Sequence, residues 1–198
     1  MSRVVADISM SLDGFVTGPD AGPGNGLGTG GGPLHTWAVA SDHPVDTELL
    51  REATDRTGAV VMGRRLFDII DAPSGWSDET GYGAELAAAP PFVVVTHAAP
   101  AQVRLGLDFT FATEGLAAAL DTARRAAGGG RDVVVMGGGD VIRQCIAGGH
   151  LDVLRIHLAP VILGEGTPLL PGPARRELWQ VDVRVSPNAT HLTYAPAR

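Results

Sequence analysis

The sequence contains three short segments in which an apolar run ends in glycines, arginines or a polar pair, and each has the composition of a phosphate-binding turn. In the clearest of them, Val133–Met136 leads into Gly137–Gly139 and then into an amphipathic stretch that begins at Asp140. Glycines have no Cβ, so a phosphate can approach the backbone closely, and the N–H groups and positive dipole end of a following helix attract negative charge. The segment therefore favours anion binding, although a tight strand-to-helix turn that needs positive φ angles would have the same composition.

A second segment, Met62–Arg65, ends a short apolar run with one glycine and two adjacent arginines. Two guanidinium groups at the start of a helix are unfavourable there unless an anion comes to them. Arginine forms charge-assisted, forked hydrogen bonds to phosphate oxygens, so a pyrophosphate or a ribose 2′-phosphate would suit this pair. The alternative is that both arginines are solvated surface side chains.

The third segment, Phe92–Val95, ends with Thr96 and His97. Ligands of open α/β sheets bind outside the carboxyl ends of the strands, and the three segments could line one such crevice. Together they predict a nucleotide site more strongly than any one of them does alone.

Several other chemistries lack the residues that they need. All 15 basic residues are arginine and the chain has no lysine, which excludes a Walker phosphate loop and Schiff-base catalysis. The single cysteine, Cys145, can form no internal disulfide, and no cysteine pair is available for zinc or an iron–sulfur cluster. The six histidines have no metal-ligand spacing and there is no G-x-S-x-G motif, so we expect neither a metal nor a hydrolase triad.

Length and composition predict one globular domain over residues 1–198. Hydrophobic residues make up 44% of the chain and charged residues 19%, which is enough apolar material for a sizeable core. The net charge of −7 should repel nucleic acid and anionic lipid. No signal peptide is apparent, and no segment approaches the ~20 apolar residues of a membrane span. We therefore expect a soluble, cytoplasmic protein with neither nucleic acid nor membrane as a partner.

The elements that would position the three segments alternate between strands and helices. Short β-branched runs predict strands over 3–9, 59–62, 92–96, 109–111 and 132–136. Helical patterns cover 46–57, 114–127 with Thr113 as its cap and Gly128 as its stop, and a stretch from Asp140 to the glycines at 148–149. This alternation predicts an α/β fold with a largely parallel sheet.

The pattern changes after Leu151. Strand patterns over 151–163, 177–185 and 190–195 follow one another with no helix between them, so we expect antiparallel strands at the edge of the sheet. Successive side chains of a strand alternate between its faces, which puts Val153, Arg155 and His157 on one face. That face is polar and is a candidate for function.

Residues 22–32 hold seven glycines in eleven positions, a density that supports neither a helix nor a strand interior. Gly26–Gly31 matches G-x-G-x-x-G, but it follows no nearby strand and runs into Gly32 and Pro33 instead of a helix. We interpret the match as accidental and predict a flexible loop, which either covers a site or is a plain surface insertion.

The whole pattern resembles the dihydrofolate reductase superfamily, and within it the C-terminal reductase domain of bifunctional riboflavin biosynthesis deaminase-reductases and their stand-alone relatives. The segments that carry the resemblance are Ser11–Gly14 after the first strand, Met62–Arg65, Val95–His97, Met136–Asp140 and Ala159–Leu169. The resemblance implies a three-layer α/β/α fold with a central mixed, mostly parallel sheet and antiparallel C-terminal strands. It also implies a homodimer.

For the site, the resemblance implies an NADPH-dependent oxidoreductase that reduces a small heterocyclic substrate, most like 5-amino-6-(5-phosphoribosylamino)uracil reductase of riboflavin biosynthesis. The cofactor supplies the hydride and the protein orients it. The residues implied in cofactor binding are Ala6 near the nicotinamide, Gly63, Arg64, Arg65, Leu66, Thr96, His97, Gly137, Gly138, Gly139, Asp140, Val141 and Ile142. Asp13 and His157 are candidates for catalysis, and Asp13 and Trp37 for contact with the substrate.

Each substrate-side candidate has a plainer interpretation: Asp13 as a turn former, His157 as a half-exposed strand histidine and Trp37 as a core aromatic. Leu34–Val39 contains no carboxylate where folate reductases place one, which argues against folate. The missing lysine and Met136 before the glycines depart from the riboflavin reductases. Reduction of another pterin, a flavin or a xenobiotic therefore stays open, as does a catalytically silent NADPH- or nucleotide-binding protein.

Overall fold

The computed structural model describes residues 2–82, 89–170 and 175–197, which form a large sheet with helices on both faces. Its strands are β1 Val4–Met10, β2 Phe15–Thr17, β3 Thr57–Gly63, β4 Phe92–Val95, β5 Phe109–Ala112, β6 Asp132–Gly137, β7 Val153–Leu158, β8 Thr167–Pro168, β9 Leu178–Val185 and β10 Thr190–Pro196. Its α-helices are α1 Thr36–Val39, α2 Pro44–Arg56, α3 Arg64–Ile70, α4 Leu116–Ala126 and α5 Gly139–Ala147, and a 3-10 helix spans Gly32–His35.

Eight strands form the main sheet in the order β5-β4-β3-β6-β1-β7-β10-β9. The six strands from β5 to β7 are parallel, and β10 and β9 are antiparallel. The central strands are buried on both faces, which explains their near-continuous runs of β-branched residues. These observations confirm the predicted α/β fold with its mostly parallel sheet and antiparallel C-terminal strands.

Alternating side chains divide the core between the two faces of the sheet. Val4, Ala6 and Val135 pack on the face covered by α4 and α5. Val60 and Met62 pack on the opposite face against α3. Positions 5, 7 and 9 of β1 alternate with Val4 and Ala6, so Asp7 and Ser9 lie on the face opposite α4 and α5.

Two boundaries and one strand pairing differ from the sequence predictions. Helix α4 begins after Gly115, whose φ is +91°, and has no side-chain cap, so Thr113 as its cap was wrong. The strand predicted over 151–163 ends at Leu158, before Pro160, which has no N–H for a ladder. Strand β7 also pairs parallel to β1, because α5 carries the chain back across the sheet, and the antiparallel part begins only with β10.

The glycine-rich segment 22–32 is a series of turns tied to the chain before it. The Gly18 N–H donates to the Leu27 carbonyl at 2.8 Å, and the Thr29 N–H donates to the Pro19 carbonyl at 2.8 Å. Gly22 and Asn25 form an isolated antiparallel bridge. The flexibility of segment 22–32 stays a prediction.

No helix in the described ranges combines the length and apolar character that crossing a membrane requires.

Candidate active site

The three predicted phosphate-binding segments lie side by side at the carboxyl ends of neighbouring strands. In the pairing of β3 with β6, Met62 lies opposite Gly137, and in the pairing of β3 with β4, Gly63 lies opposite Val95. Thr96 follows directly. Adjacent parallel strands thus bring to one sheet edge the segments that are scattered along the sequence, as predicted.

The β6–α5 turn leaves open space over its glycines. Gly137 has a φ of +136°, and the Gly137–Gly138 peptide bond is cis. A Cβ added at Gly138 would meet no atom within 4 Å, whereas one at Gly137 would lie 3.4 Å from Leu66 Cδ2. Gly138 precedes the first turn of α5, so the open space lies at the positive end of that helix. This turn fits the pyrophosphate of a dinucleotide.

The side chains that follow the glycines have different surroundings. Val141 and Ile142 are buried in the core, so only their backbone could reach a ligand. Asp140 is exposed and forms an ion pair with Arg143 three residues further along the helix.

The two arginines after β3 are engaged differently. The Arg64 Nε donates to Asp68 Oδ1 at 2.7 Å, and its Nη1 donates to the Ala98 carbonyl at 2.9 Å. The more exposed Arg65 donates through Nη2 to the Ala21 carbonyl at 2.7 Å. Arg64 therefore has a carboxylate partner, while the described partner of Arg65 is an uncharged oxygen.

The remaining cofactor-side residues are placed as follows. Thr96 is buried and its hydroxyl donates to the Ala98 carbonyl at 2.8 Å, while His97 is exposed. Ala6 is fully buried, with its side chain in the core beside α4 and α5 and its backbone between β6 and β7. Contact between Ala6 and a nicotinamide stays a prediction, because this side chain faces the core.

Asp13 connects the loop after β1 to the segment that precedes β8. Its carboxylate accepts from the Ser11 hydroxyl at 2.6 Å, from the Gly164 N–H at 2.6 Å and from the Leu163 N–H at 3.1 Å. The Ser11 hydroxyl and the two backbone N–H groups lower the pKa of Asp13 to about 2. The side chain is exposed and ionised at neutral pH, so towards a substrate it would accept hydrogen bonds.

His157 is buried, with only 1% of its side chain exposed, so its interpretation as a half-exposed strand histidine was wrong. Its Nε2 lies 2.8 Å from Asp7 Oδ1, and its Nδ1 lies 2.7 Å from Nδ1 of His191. Nε2 of His191 lies 2.8 Å from Asp46 Oδ1 on α2. The imidazole is covered by β1, β10 and α2 in addition to its own strand, β7. The alternation of side chains along β7 could not indicate this burial.

Trp37 covers this polar group from α1. Its ring centroid lies 3.9 Å from that of His157, and its Nε1–H donates to the Ser9 hydroxyl at 2.9 Å. It is largely buried and also packs with Leu49 and Ala189. Trp37 therefore has the contacts of a core aromatic residue, and its contact with a substrate stays a prediction.

The polar face has an accessible part at Asp7 and Arg155. Arg155 Nη1 donates to Asp7 Oδ2 at 2.7 Å, and the two side chains are 17% and 18% exposed. Arg155 also lines an open cleft below α2, together with Leu49 and Thr193. Burial disfavours the ionised form of Asp7, but the charges and hydrogen bonds of His157 and Arg155 outweigh it and lower the pKa of Asp7.

The sequence predictions did not include Asp7, His191 or Asp46. One signal was available, because two polar residues at alternate positions of the otherwise apolar strand β1 indicate a polar face inside the sheet. His191 and Asp46 have no comparable local signal, since their partners lie far away along the chain.

The fold is that of dihydrofolate reductase and its relatives. A dihydrofolate reductase from Enterococcus faecalis, complexed with NADP(H), matches with a TM-score of 0.56 and 16% identity over 99% of this chain and 97% of that chain. A putative riboflavin biosynthesis protein from Shewanella sp. PV-4 matches with a TM-score of 0.66 and 19% identity over 99% of both chains. A pyrimidine reductase-like protein from Corynebacterium diphtheriae gives 0.62 and 18% over 100% of this chain and 92% of that chain. These identities support the fold alone.

The family is established by the sequence. The family model of the RibD C-terminal domain matches residues 2–192, and the chain belongs to this family. A search of the curated proteins finds no match. Family membership confirms the resemblance predicted from the sequence and makes the chain a reductase.

Proposed function

We propose that this protein is an NADPH-dependent reductase of a small heterocyclic substrate, most like the uracil derivative reduced in riboflavin biosynthesis. The observation that carries the proposal is the open space over Gly138, at the point where the ends of β3, β4 and β6 meet beside the start of α5. Backbone N–H groups at such a helix start bind phosphate without needing a lysine.

The residues of this chain have separate tasks in the proposal. The turn at Gly137–Gly139 holds the pyrophosphate, and Arg65 binds the ribose 2′-phosphate, because its guanidinium has a described bond only to a carbonyl. A bound nicotinamide would supply the hydride to a carbon of the substrate. Asp7 and Arg155, the accessible ion pair of the polar face, orient the heterocycle through its ring N–H and carbonyl groups.

The substrate class rests on this ion pair and on the family. A carboxylate next to a guanidinium presents an acceptor and a donor side by side, which matches adjacent N–H and C=O groups on a pyrimidine or pterin ring. A solved relative from Thermotoga maritima, of which this chain spans 57%, is described as a diaminohydroxyphosphoribosylaminopyrimidine deaminase/5-amino-6-(5-phosphoribosylamino)uracil reductase. It shares 13% identity, with a TM-score of 0.62.

The proposal includes a cytoplasmic homodimer. The single cysteine is buried, as suits a protein of a reducing compartment. The edge strand β9 exposes a row of apolar side chains, among them Trp179 at 70%, Val181 at 64% and Val185 at 63%. An exposed apolar edge strand of this kind is a site for pairing with another chain, and a second copy would cover it.

The cofactor is tested first, by the melting temperature with NADPH, with NADH and with no ligand. Ligand at ~100 times its Kd stabilises by about 2.7 kcal/mol, which raises the melting temperature of a domain of this size by roughly 5 to 10 °C. We expect such a rise with NADPH and a smaller one with NADH. No rise with either cofactor would contradict the reductase proposal.

Turnover is tested by NADPH oxidation across a panel of pyrimidine, pterin, flavin and carbonyl substrates. We expect turnover of a pyrimidine carrying a ribosylamino group. Turnover of a pterin, flavin or carbonyl compound alone would replace that substrate class, and NADPH binding without any turnover would identify a catalytically silent binding protein.

A further inference from the structure

Three buried side chains and the partly exposed Asp7 form a continuous chain of short contacts across the polar face of the sheet. The contacts join Asp7 to His157 at 2.8 Å, His157 to His191 at 2.7 Å and His191 to Asp46 at 2.8 Å. The four side chains come from β1, β7, β10 and α2 respectively. We call them the Asp–His–His–Asp chain.

Both ends of the chain are ionised carboxylates. Asp46 Oδ2 accepts from the Ser41 hydroxyl at 2.5 Å and from the Asn188 amide at 2.9 Å. Burial opposes the charge, but these bonds and those from Ser186 and His191 outweigh it and lower the pKa of Asp46 to about 2. Asp7 is held ionised by His157 and Arg155.

The number of protons follows from the contacts. A carboxylate only accepts hydrogen bonds, so Nε2 of His157 and Nε2 of His191 must both carry a proton. The Nδ1 atoms of the two rings are 2.7 Å apart, and this contact also needs a proton between them. Three protons on two imidazoles make one of them an imidazolium.

The groups around the two rings differ between His157 and His191. The Asp7 carboxylate lies 2.8 Å from Nε2 of His157 and the Trp37 ring centroid lies 3.9 Å from the His157 ring, and both groups attract a cation. The Arg155 guanidinium, bound to Asp7, has the opposite effect. Burial, the largest cause, and the neighbouring His157 lower the pKa of His191 against the opposing effect of Asp46, so His191 favours its neutral form.

Two further groups lie near the chain. Burial and the neighbouring His157 lower the pKa of His35, in the 3-10 helix, more than Asp7 raises it, so the His35 ring is neutral. Tyr82 has a pKa raised by burial and by Asp7 and donates or accepts a hydrogen bond with Thr57, so it is a neutral phenol. Neither group adds a charge beside the Asp–His–His–Asp chain.

Only one end of the chain reaches the surface. The side chains of His157 and His191 are 1% exposed and that of Asp46 is fully buried, whereas that of Asp7 is 18% exposed. A proton stored on the imidazoles can therefore leave or return only through the Asp7 carboxylate, at the accessible ion pair with Arg155.

We propose that the Asp–His–His–Asp chain stores one proton and delivers it through Asp7 to the substrate as the hydride arrives. This rests on the proposed function. The hydride adds to the carbon of a C=N or C=O bond, and the π electrons move to the heteroatom. The Nε2 proton of His157 moves first to the ionised Asp7 carboxylate, which then donates it to that heteroatom and returns to its ionised form. The Nδ1 proton stays between two neutral rings until solvent restores the third proton. Asp7 is the catalytic residue, while His191 and Asp46 position His157 and stabilise the third proton on the two rings.

The stored proton is tested without substrate or cofactor, by NMR of the protein labelled with ¹⁵N in its histidines. At neutral pH we expect three of the four ring nitrogens of His157 and His191 to be protonated, with one proton far downfield between the Nδ1 atoms. His150→Gln, which removes a histidine outside the chain, should leave these signals unchanged. Only two protonated nitrogens would overturn the proposal.

Delivery is tested by the pH profile of turnover with whichever substrate is reduced. Asp46→Asn keeps an acceptor for His191 but removes the charge, so the imidazolium is less stable and the alkaline limb of kcat should move to lower pH. His191→Gln removes the shared proton and should lower kcat by roughly 10²-fold at pH 8, with little change in KM. A variant that unfolds is detected by its melting temperature, and Asp46→Asn then decides.

The outcomes separate this inference from the proposed function. Three protonated nitrogens with pH profiles identical to that of His150→Gln would overturn delivery while the reductase stands. Three protonated nitrogens without turnover of any substrate would mean that the proposed function fails and that the stored proton only balances buried charge.

Discussion

Arg64 and Arg65 are neighbours in the sequence but differ in how their charges are compensated. Asp68, one turn further along α3, forms an ion pair with Arg64, while Arg65 reaches the Ala21 carbonyl just before the glycine-rich segment. A guanidinium without a carboxylate partner keeps its attraction for a phosphate dianion. We therefore expect the choice between NADPH and NADH to depend mainly on Arg65.

Replacing Arg65 with alanine should weaken NADPH more than NADH. Hydrogen bonds to charged groups contribute about 1.5 to 3 kcal/mol, so we expect the Kd of NADPH to rise roughly 10- to 100-fold. Arg64→Ala should show the same preference with a smaller rise, because Asp68 competes for its guanidinium. Isothermal titration of both cofactors measures the two effects.

Arg125→Ala is the matched control, because Arg125 is an exposed arginine of α4 whose described bond goes to Thr122. It should leave both affinities unchanged. Equal losses of NADPH and NADH affinity in Arg65→Ala would contradict contact with the 2′-phosphate.

At the scale of elements, strand β6, the three glycines and helix α5 act as one unit. The strand holds Gly137 next to Met62, and the helix begins two residues later with its positive end towards the open space over Gly138. Buried Val141, Ile142 and Cys145 anchor α5 to the sheet, so the turn cannot move away from a ligand without disturbing the core. The unit is therefore preformed for an anion.

Gly138→Val should abolish cofactor binding while the protein stays folded. A Cβ at this position points into open space, so the added side chain would fill the volume assigned to the pyrophosphate without meeting protein atoms. The melting temperature without ligand and the Kd of NADPH measure folding and binding separately.

Gly129→Val tests the same substitution in the loop between α4 and β6, where a Cβ also meets no atom within 4 Å. It should bind NADPH normally. A folded Gly138→Val protein with normal NADPH affinity would rule out the phosphate turn.

At the scale of the whole molecule, one edge of the main sheet carries exposed apolar side chains. The edge at β9 exposes Trp179, Val181 and Val185, and these side chains would have to remain in water in a monomer. Strand β10 already pairs with β9 on its inner side, so a partner can add only at the outer edge or over the exposed side chains. A homodimer through β9 removes this apolar surface from water.

Trp179→Asp should convert the proposed homodimer into a monomer, because a charge on the exposed edge opposes both pairing and burial. Size-exclusion chromatography with light scattering measures the mass directly. Val103→Asp changes another exposed valine, in the loop before β5, and should leave the dimer intact. A wild-type protein that is monomeric at all concentrations would contradict the dimer itself.

The three predicted phosphate-binding segments were the most predictable part of the candidate site. The runs Val133–Met136 and Phe92–Val95, the glycines after β6 and the arginines after β3 are local patterns, and adjacent parallel strands bring their ends together by a general rule. The polar face could be predicted only in part. Arg155 and His157 follow from alternation along β7, but their burial depends on Trp37 and α2, which no periodicity of β7 records.

By itself, the sequence determined the order and type of the main elements and the turns between them, because hydrophobic periodicity and glycine conformations act over a few residues. Only the tertiary structure decided which side chains form the Asp–His–His–Asp chain. His157 meets Asp7 across 150 positions and His191 meets Asp46 across 145, so no local energy term could select these partners. They are selected because a charge buried in the sheet must find an opposite charge or a hydrogen bond, wherever along the chain that partner lies.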